Sequence, residues 1–209
     1  MPLTILVTGF GPFPGAPFNP TSLLAQRVAH ARRPALSDVK IVTHVFPTGY
    51  AAVDRELPAL IAKHKPDALL MFGLAPRARE LRVETRARNA LALLPDAGGA
   101  SLGRRTIAVG MPESMRLRTP ARPLLAALRG LQPRATLSRD AGRYLCNYLC
   151  WRAAEMVSTG VGPRLVTFIH VPPVRGGPTR KHGKALTSLS DLTTAGTRAL
   201  VALVAAARR

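Results

Sequence analysis

Acidic residues are scarce in this chain, 11 against 30 basic ones in 209 residues, which leaves a formal charge of +19. Any histidine that needs a carboxylate therefore has few candidates. There are only two cysteines, which excludes a disulfide framework and a cysteine-rich zinc site and points to a reducing compartment, the cytoplasm. No uninterrupted apolar run approaches membrane-spanning length, so no membrane association is expected. The first residues, Met1 to Gly9, lack a basic segment and read as a strand rather than a signal peptide. Aromatics make up only 5% of the chain, and the densest basic stretch, Arg77–Arg88, contains none. A nucleic-acid surface usually interleaves bases with aromatics or concentrates its charge in a block. Only five of the basic residues are lysine, and the arginines are scattered from Arg27 to Arg209. That is the pattern of a general arginine bias, and nucleic acid is not expected as a partner despite the charge.

What is present is an alternation of strand-like and helix-like segments. Leu3–Thr8, Val39–Phe46, Ala68–Phe72 and Leu165–His170 are apolar, β-rich runs, with briefer candidates at Leu81–Glu84, Thr106–Val109 and Ala135–Ser138. Helical spacing covers Ser22–Ala31, Ala51–Lys63, Pro123–Arg129, Tyr144–Ser158 and Leu186–Ala206. Prolines and glycines make Pro172–Pro178 a loop. Continuous apolar strands separated by helices predict a mostly parallel sheet covered on both faces. With no repeat, linker or low-complexity tail, residues 1–209 are expected to form one domain.

The loop after the first strand begins Gly9-Phe-Gly11, but prolines at 12, 14, 17 and 20 remove the N–H donors a phosphate cradle needs. Phe10, Phe13 and Phe18 lie there, at the carboxyl end of a strand, where open α/β sheets hold ligands. They either pin the loop to the core or form an apolar slot for a flat, uncharged group. Cys146 and Cys150 share a helix face, four residues apart, which is neither redox nor zinc spacing. Cys150, beside Trp151, reads as a core thiol. Cys146 follows Ala141-Gly142 and falls in the first helical turn, where unpaired N–H groups favour a thiolate. Of the histidines, 30, 44 and 64 have no special neighbours and His182 is in a basic loop, whereas His170 ends a buried strand at the sheet edge that also bears the Phe loop. Cysteine nucleophile and histidine base is the pairing this suggests. Glu84 could orient the imidazole or contact substrate; on spacing alone it reads as an ion-pair partner of a nearby arginine.

Taken in order, these segments resemble pyroglutamyl peptidase I (pyrrolidone-carboxylate peptidase, cysteine peptidase family C15), with the chain as a diverged member. The markers are Thr8-Gly-Phe-Gly-Pro-Phe13 with Gly15, Asn19-Pro20, Gly73-Leu-Ala-Pro76, Val83-Glu84 with Asn89, Ala141-Gly142 with Tyr144-Leu-Cys-Asn147, and Phe168-Ile-His-Val-Pro172. The resemblance implies Cys146 as nucleophile, His170 as base and Glu84 as third member. It also implies Phe10 and Phe13 as the lining of a pyroglutamyl pocket, with Asn19 organising that loop. The implied reaction is removal of an N-terminal 5-oxoproline through a thioester. The implied fold is a three-layer α/β/α sandwich around a twisted, mostly parallel sheet, without cofactor or metal and often assembled into dimers or tetramers.

The departures fall around the substrate. The Ala-Arg-Ile-Pro-Asp-Asn run usual in the family is Ala92-Leu-Leu-Pro-Asp-Ala97, without its arginine. Thr85 replaces the arginine usual after the glutamate, Leu117-Arg-Thr-Pro120 reduces a Ser-Thr-Leu-Pro element, Leu74 stands where glutamine is common, and the loop at Val174–Gly177 is short and basic. Two other readings follow: a cysteine amidase with another acyl specificity, and a basic nucleic-acid-binding protein on a retired hydrolase scaffold.

Overall fold

The computed structural model describes residues 2–13, 15–175 and 187–209. In chain order the first half forms β1 (Leu3–Phe10), α1 (Pro20–Ala29), β2 (Val39–Phe46), α2 (Tyr50–His64), β3 (Ala68–Leu74), β4 (Leu81–Glu84) and β5 (Arg86–Arg88). The second half adds β6 (Ser114–Arg116), α3 (Ala121–Leu128), β7 (Ala135–Ser138), α4 (Leu145–Ser158), β8 (Leu165–Val171) and α5 (Leu189–Ala207). Six strands make one sheet in the order β2-β1-β3-β8-β4-β7, and β5 and β6 pair separately. All neighbours in the large sheet are parallel except β4 and β8, which run antiparallel with Arg82 opposite His170 and Glu84 opposite Phe168.

The continuous apolar runs become strands buried on both faces, as a sheet between two helical layers requires. Ile5, Val7, Leu70, Phe72, Ile169 and Val171 meet α1, α3 and α5 on one side. Leu6, Leu69, Met71, Val166 and Phe168, one residue out of phase, meet α2 and α4 on the other. Each fully buried Leu, Ile or Phe side chain contributes roughly 1.5–3 kcal/mol, so both layers are held chiefly by this contact. The phase also decides the chemistry, because His170, Gly73 and Glu84 fall on the α2/α4 side.

Helix starts differ in a way that matters below. Asn19 caps α1 through a 3.1 Å bond from the Thr21 N–H, and Ser188 with Asp191 forms a capping box on α5. Helix α2 has Gly49 at its N-cap and borrows Asp96, whose Oδ2 accepts the Tyr50 N–H at 3.1 Å. Helix α4 has no side-chain cap.

One expected element needs correction and one was missed. Thr106–Val109 is not a strand. The Asn89 Oδ1 accepts the N–H groups of both Ile107 and Ala108 at 2.8 Å, so these amides are held by a side chain instead of a ladder. The short β5–β6 pair was not anticipated, because three-residue strands carry too little periodicity to register. The expected helix at Leu186–Ala206 is α5; Leu186, Pro14, His182 and the loop from Gly176 to Pro178 lie outside the described residues.

Candidate active site

Three elements bring three side chains to one place. Cys146 is the second residue of α4, half-buried, with its sulfur over Gly73, the residue paired with His170 across β3 and β8. His170, near the end of β8, is only 7% exposed. Its Nδ1 lies 2.8 Å from Glu84 Oε1 on the adjacent antiparallel strand, and Glu84 is fully buried. Glu84 therefore joins the histidine and makes no ion pair with an arginine among the described residues, which corrects the reading from spacing. The antiparallel direction of β4 is what brings a carboxylate from the end of that strand to this point.

Close packing holds the group. A Cβ on Gly73 would come within 2.8 Å of Cys146 Sγ and 2.5 Å of the Phe168 ring, so only glycine fits under the sulfur. The Phe168 ring meets the His170 imidazole edge-on at 4.9 Å. Beside Cys146, the fully buried Asn147 accepts the Arg88 N–H at 2.8 Å and donates to the carbonyls of Arg88 and Ala90, tying the helix start to β5. Thr119 Oγ1 donates to the carbonyls of Glu84 and Val166, fixing β4 against β8.

Electrostatics follow from this packing. Burial works against a charge on His170, but the Cys146 thiolate and the bonds to Cys146 and Glu84 outweigh it and raise its pKa to about 9. Near neutral pH His170 is thus held as the imidazolium beside the Cys146 sulfur. The uncapped first turn of α4 adds N–H groups without intrahelical acceptors at the same sulfur. Cys150 is the opposite case: complete burial, then the nearby Glu84, push its thiol well up, so it stays neutral.

The sulfur faces a cleft of about 890 Å³ along the carboxyl edge of the sheet. Phe10 and Phe13 both line it. Phe10 is also 3% exposed and packs on Phe46 at 6.0 Å, so it serves core and cleft at once. Phe13 is half-buried, 6.4 Å from the Tyr144 ring. Phe18 packs into the opposite core and takes no part. Asn19 holds the loop: besides capping α1, its Nδ2 donates to the Gly11 carbonyl at 3.0 Å, which also accepts from Thr48 Oγ1 at 3.0 Å.

The altered run Ala92–Ala97 supplies Leu94 and Pro95 to the cleft wall. Tyr144 Oη donates to the Pro95 carbonyl at 2.9 Å, and the 5% exposed Asp96 accepts from Gly98, Ala100 and Tyr50. Tyr144, Asp96 and Arg82, another cleft residue, were not singled out from sequence. His44, read as lacking special neighbours, pairs with Glu56 at 2.9 Å. Among the described residues, no group of three His, Cys, Asp or Glu is placed to hold a metal ion, and no helix is long and apolar enough to cross a membrane.

Comparison with known proteins agrees over the whole length. The family model for pyroglutamyl peptidase (peptidase family C15) matches residues 3–209. A pyrrolidone-carboxylate peptidase of Pyrococcus furiosus is 30% identical over 171 residues, 81% of each chain. One of Clavibacter michiganensis subsp. michiganensis is 32% identical over 170 residues, 81% of this chain and 78% of its own. Among solved structures, pyroglutamyl peptidase I from Bacillus amyloliquefaciens superposes with a TM-score of 0.86 at 26% identity, over 98% of this chain and 96% of its own. A mutant pyrrolidone carboxyl peptidase from the hyperthermophile P. furiosus gives 0.86 at 28% identity, over 96% of this chain and 98% of its own. With a family-model match over residues 3–209 and a structural superposition covering 96% of the chain, the chain belongs to the pyroglutamyl peptidase family.

Proposed function

We propose that this chain removes an N-terminal pyroglutamyl residue from peptides, with Cys146 as nucleophile, His170 as base and acid, and Glu84 as the group that orients His170. The observation that carries it is that Cys146 and His170 line one apolar cleft and the buried Glu84 lies behind His170 at 2.8 Å. The thiolate of Cys146 attacks the carbonyl carbon joining 5-oxoproline to the next residue. The N–H groups at the uncapped start of α4 receive the charge that develops on the carbonyl oxygen. The carbon–nitrogen bond breaks, and the imidazolium of His170 gives its proton to the departing amine. His170, now neutral, takes a proton from water, whose oxygen cleaves the thioester and releases pyroglutamate.

Specificity comes from burial. The 5-oxoproline ring is flat and uncharged, and the slot beside Phe10 and Phe13 offers it apolar contact. A free N-terminal ammonium would lose its hydration there without a counter-charge, so ordinary peptides are excluded. Leu94 in the wall, part of the Ala92–Ala97 run that lacks the family's arginine, marks the other reading, an amidase with a changed acyl preference.

We further propose a single domain, since both helical layers share one sheet, a cytoplasmic setting, in keeping with two free cysteines, and homo-oligomeric assembly as a dimer or tetramer. Exposed Val109 and Met111 on one loop support the last. The decisive test is release of a fluorescent amine from its pyroglutamyl amide by wild type and Cys146→Ala. Turnover that vanishes in the variant establishes reaction class and nucleophile together. A folded wild type that cleaves other acyl amides but not this one would transfer the assignment to the amidase reading.

A further inference from the structure

The strand order gives the cleft a direction. Phe10 stands at the end of β1, Leu74 at the end of β3, His170 on β8, Arg82 on β4, and Thr136 to Ser138 on β7. Given a pyroglutamyl ring against Phe10 and Phe13, the reading on which this step rests, the departing peptide must cross β8 toward β4 and β7. The first charged side chain it meets on the strands is Arg82, whose backbone is directly opposite His170 in the antiparallel pair.

Arg82 is half-buried in the cleft wall, and among the described residues it has no carboxylate partner. The two cleft carboxylates nearest in sequence and fold are otherwise engaged. Glu80 Oε1 accepts the Thr136 hydroxyl at 3.1 Å, and Asp140 lies 3.4 Å from Arg88. Residues 176–186, which follow β8 in the sequence, contain no acid. A guanidinium held partly out of water beside the reacting carbonyl, in a chain with only 11 acids, has five donors and no anion to receive them.

We propose that Arg82 is a specificity-determining residue on the leaving-group side, receiving a carboxylate one or two residues beyond the scissile bond. Two sources supply that chemistry: an acidic side chain on the residue after pyroglutamate, or the free C-terminus of a very short peptide. The charge-assisted bond forms with the departing segment, not with the ring, so it discriminates among peptides that share the same N-terminal group. The chain's excess of positive charge reinforces it by drawing acidic peptides toward the cleft.

The test measures kcat/KM for matched pairs differing only in charge. Pyroglutamyl-alanine against its C-terminal amide reports on the chain terminus. Pyroglutamyl-aspartate amide against pyroglutamyl-asparagine amide reports on the side chain. For wild type at low ionic strength, at least one acidic member should be favoured about tenfold over its partner, with the preference shrinking as salt is added. Arg82→Gln should bring that ratio close to one, and Arg82→Lys should retain part of it. The ratio is internal to each variant, so a general loss of folding or rate leaves it unmoved. A wild-type ratio near one in both pairs, or an equal ratio in wild type and Arg82→Gln, overturns the proposal. A folded wild type that cleaves no member of either pair overturns the pyroglutamyl reading itself, and this step with it.

Discussion

Glu84 places one oxygen on His170 and leaves the other, Oε2, buried without a partner. We read a buried carboxyl whose one side-chain hydrogen bond among the described residues is to His170 as acting through the imidazole. Glu84→Gln keeps the volume but sets an amide against a ring nitrogen that must donate, and so favours the wrong tautomer. We expect kcat/KM to fall roughly 10²–10⁴-fold, with the far-ultraviolet spectrum unchanged. The same substitution has a pH signature. With His170 raised from 6.5 to about 9 in the folded protein, its imidazolium contributes stability that is full below pH 6.5 and is lost as pH climbs through 9. Without the carboxylate the folded value drops, so urea unfolding of Glu84→Gln should show a smaller alkaline loss that still begins near pH 6.5 but is complete at a lower pH. An unchanged alkaline limb would mean that the thiolate alone holds the proton. Cys146 and His170 were legible from position: a cysteine in a first helical turn, a histidine ending a buried strand. Glu84 was reached through the family resemblance, not from spacing, because its partner is 86 residues away in sequence and arginines crowd its own neighbourhood.

The central strands were readable because burial on both faces leaves mostly apolar, β-branched segments: β1, β3 and β8 begin where their sequences suggest, and the less buried β2, β4 and β7 also keep their expected bounds. The segment between β5 and α3 was not, since side chains rather than ladders hold its backbone. Asn89 takes up the amides of Ile107 and Ala108, and Asp96 those of Gly98 and Ala100. Asp96 also caps α2, so one carboxylate couples a helix start to the wall of the cleft. Asp96→Ala should cost about 1–3 kcal/mol in denaturant unfolding, the cost of a lost cap with its orphaned amides. Because Leu94 and Pro95 are freed while Cys146, His170 and Glu84 stay seated, KM for a pyroglutamyl amide should rise more than kcat falls. A variant that lost kcat alone would show that this loop acts on the chemistry rather than on the pocket.

Charge is a property of the whole molecule, and it is here that the sequence and the folded chain say the same thing. Of the 11 acids, Glu84 serves His170, while Asp67, Asp96 and Asp191 bond backbone N–H groups. Ion pairs take up Arg55, Arg88, Arg152 and Arg208 among the described residues, so most of the 30 basic side chains have no counter-charge. Such a surface repels itself within each chain and between chains, and the repulsion is screened over about 10 Å at 0.1 M salt. Added sodium chloride should therefore raise the thermal midpoint, steeply at first and then levelling once the screening length falls below the spacing of the charges. The proposed homo-oligomer is subject to the same force, since each added copy brings +19. Light scattering coupled to gel filtration should find the mass per particle increasing from the monomer as salt is raised through the same range. A mass that stays at the multimer value in the lowest salt would mean that the assembly buries its contacts away from the arginines. A mass that stays monomeric throughout would remove the oligomer and leave Val109 and Met111 as solitary exposed side chains.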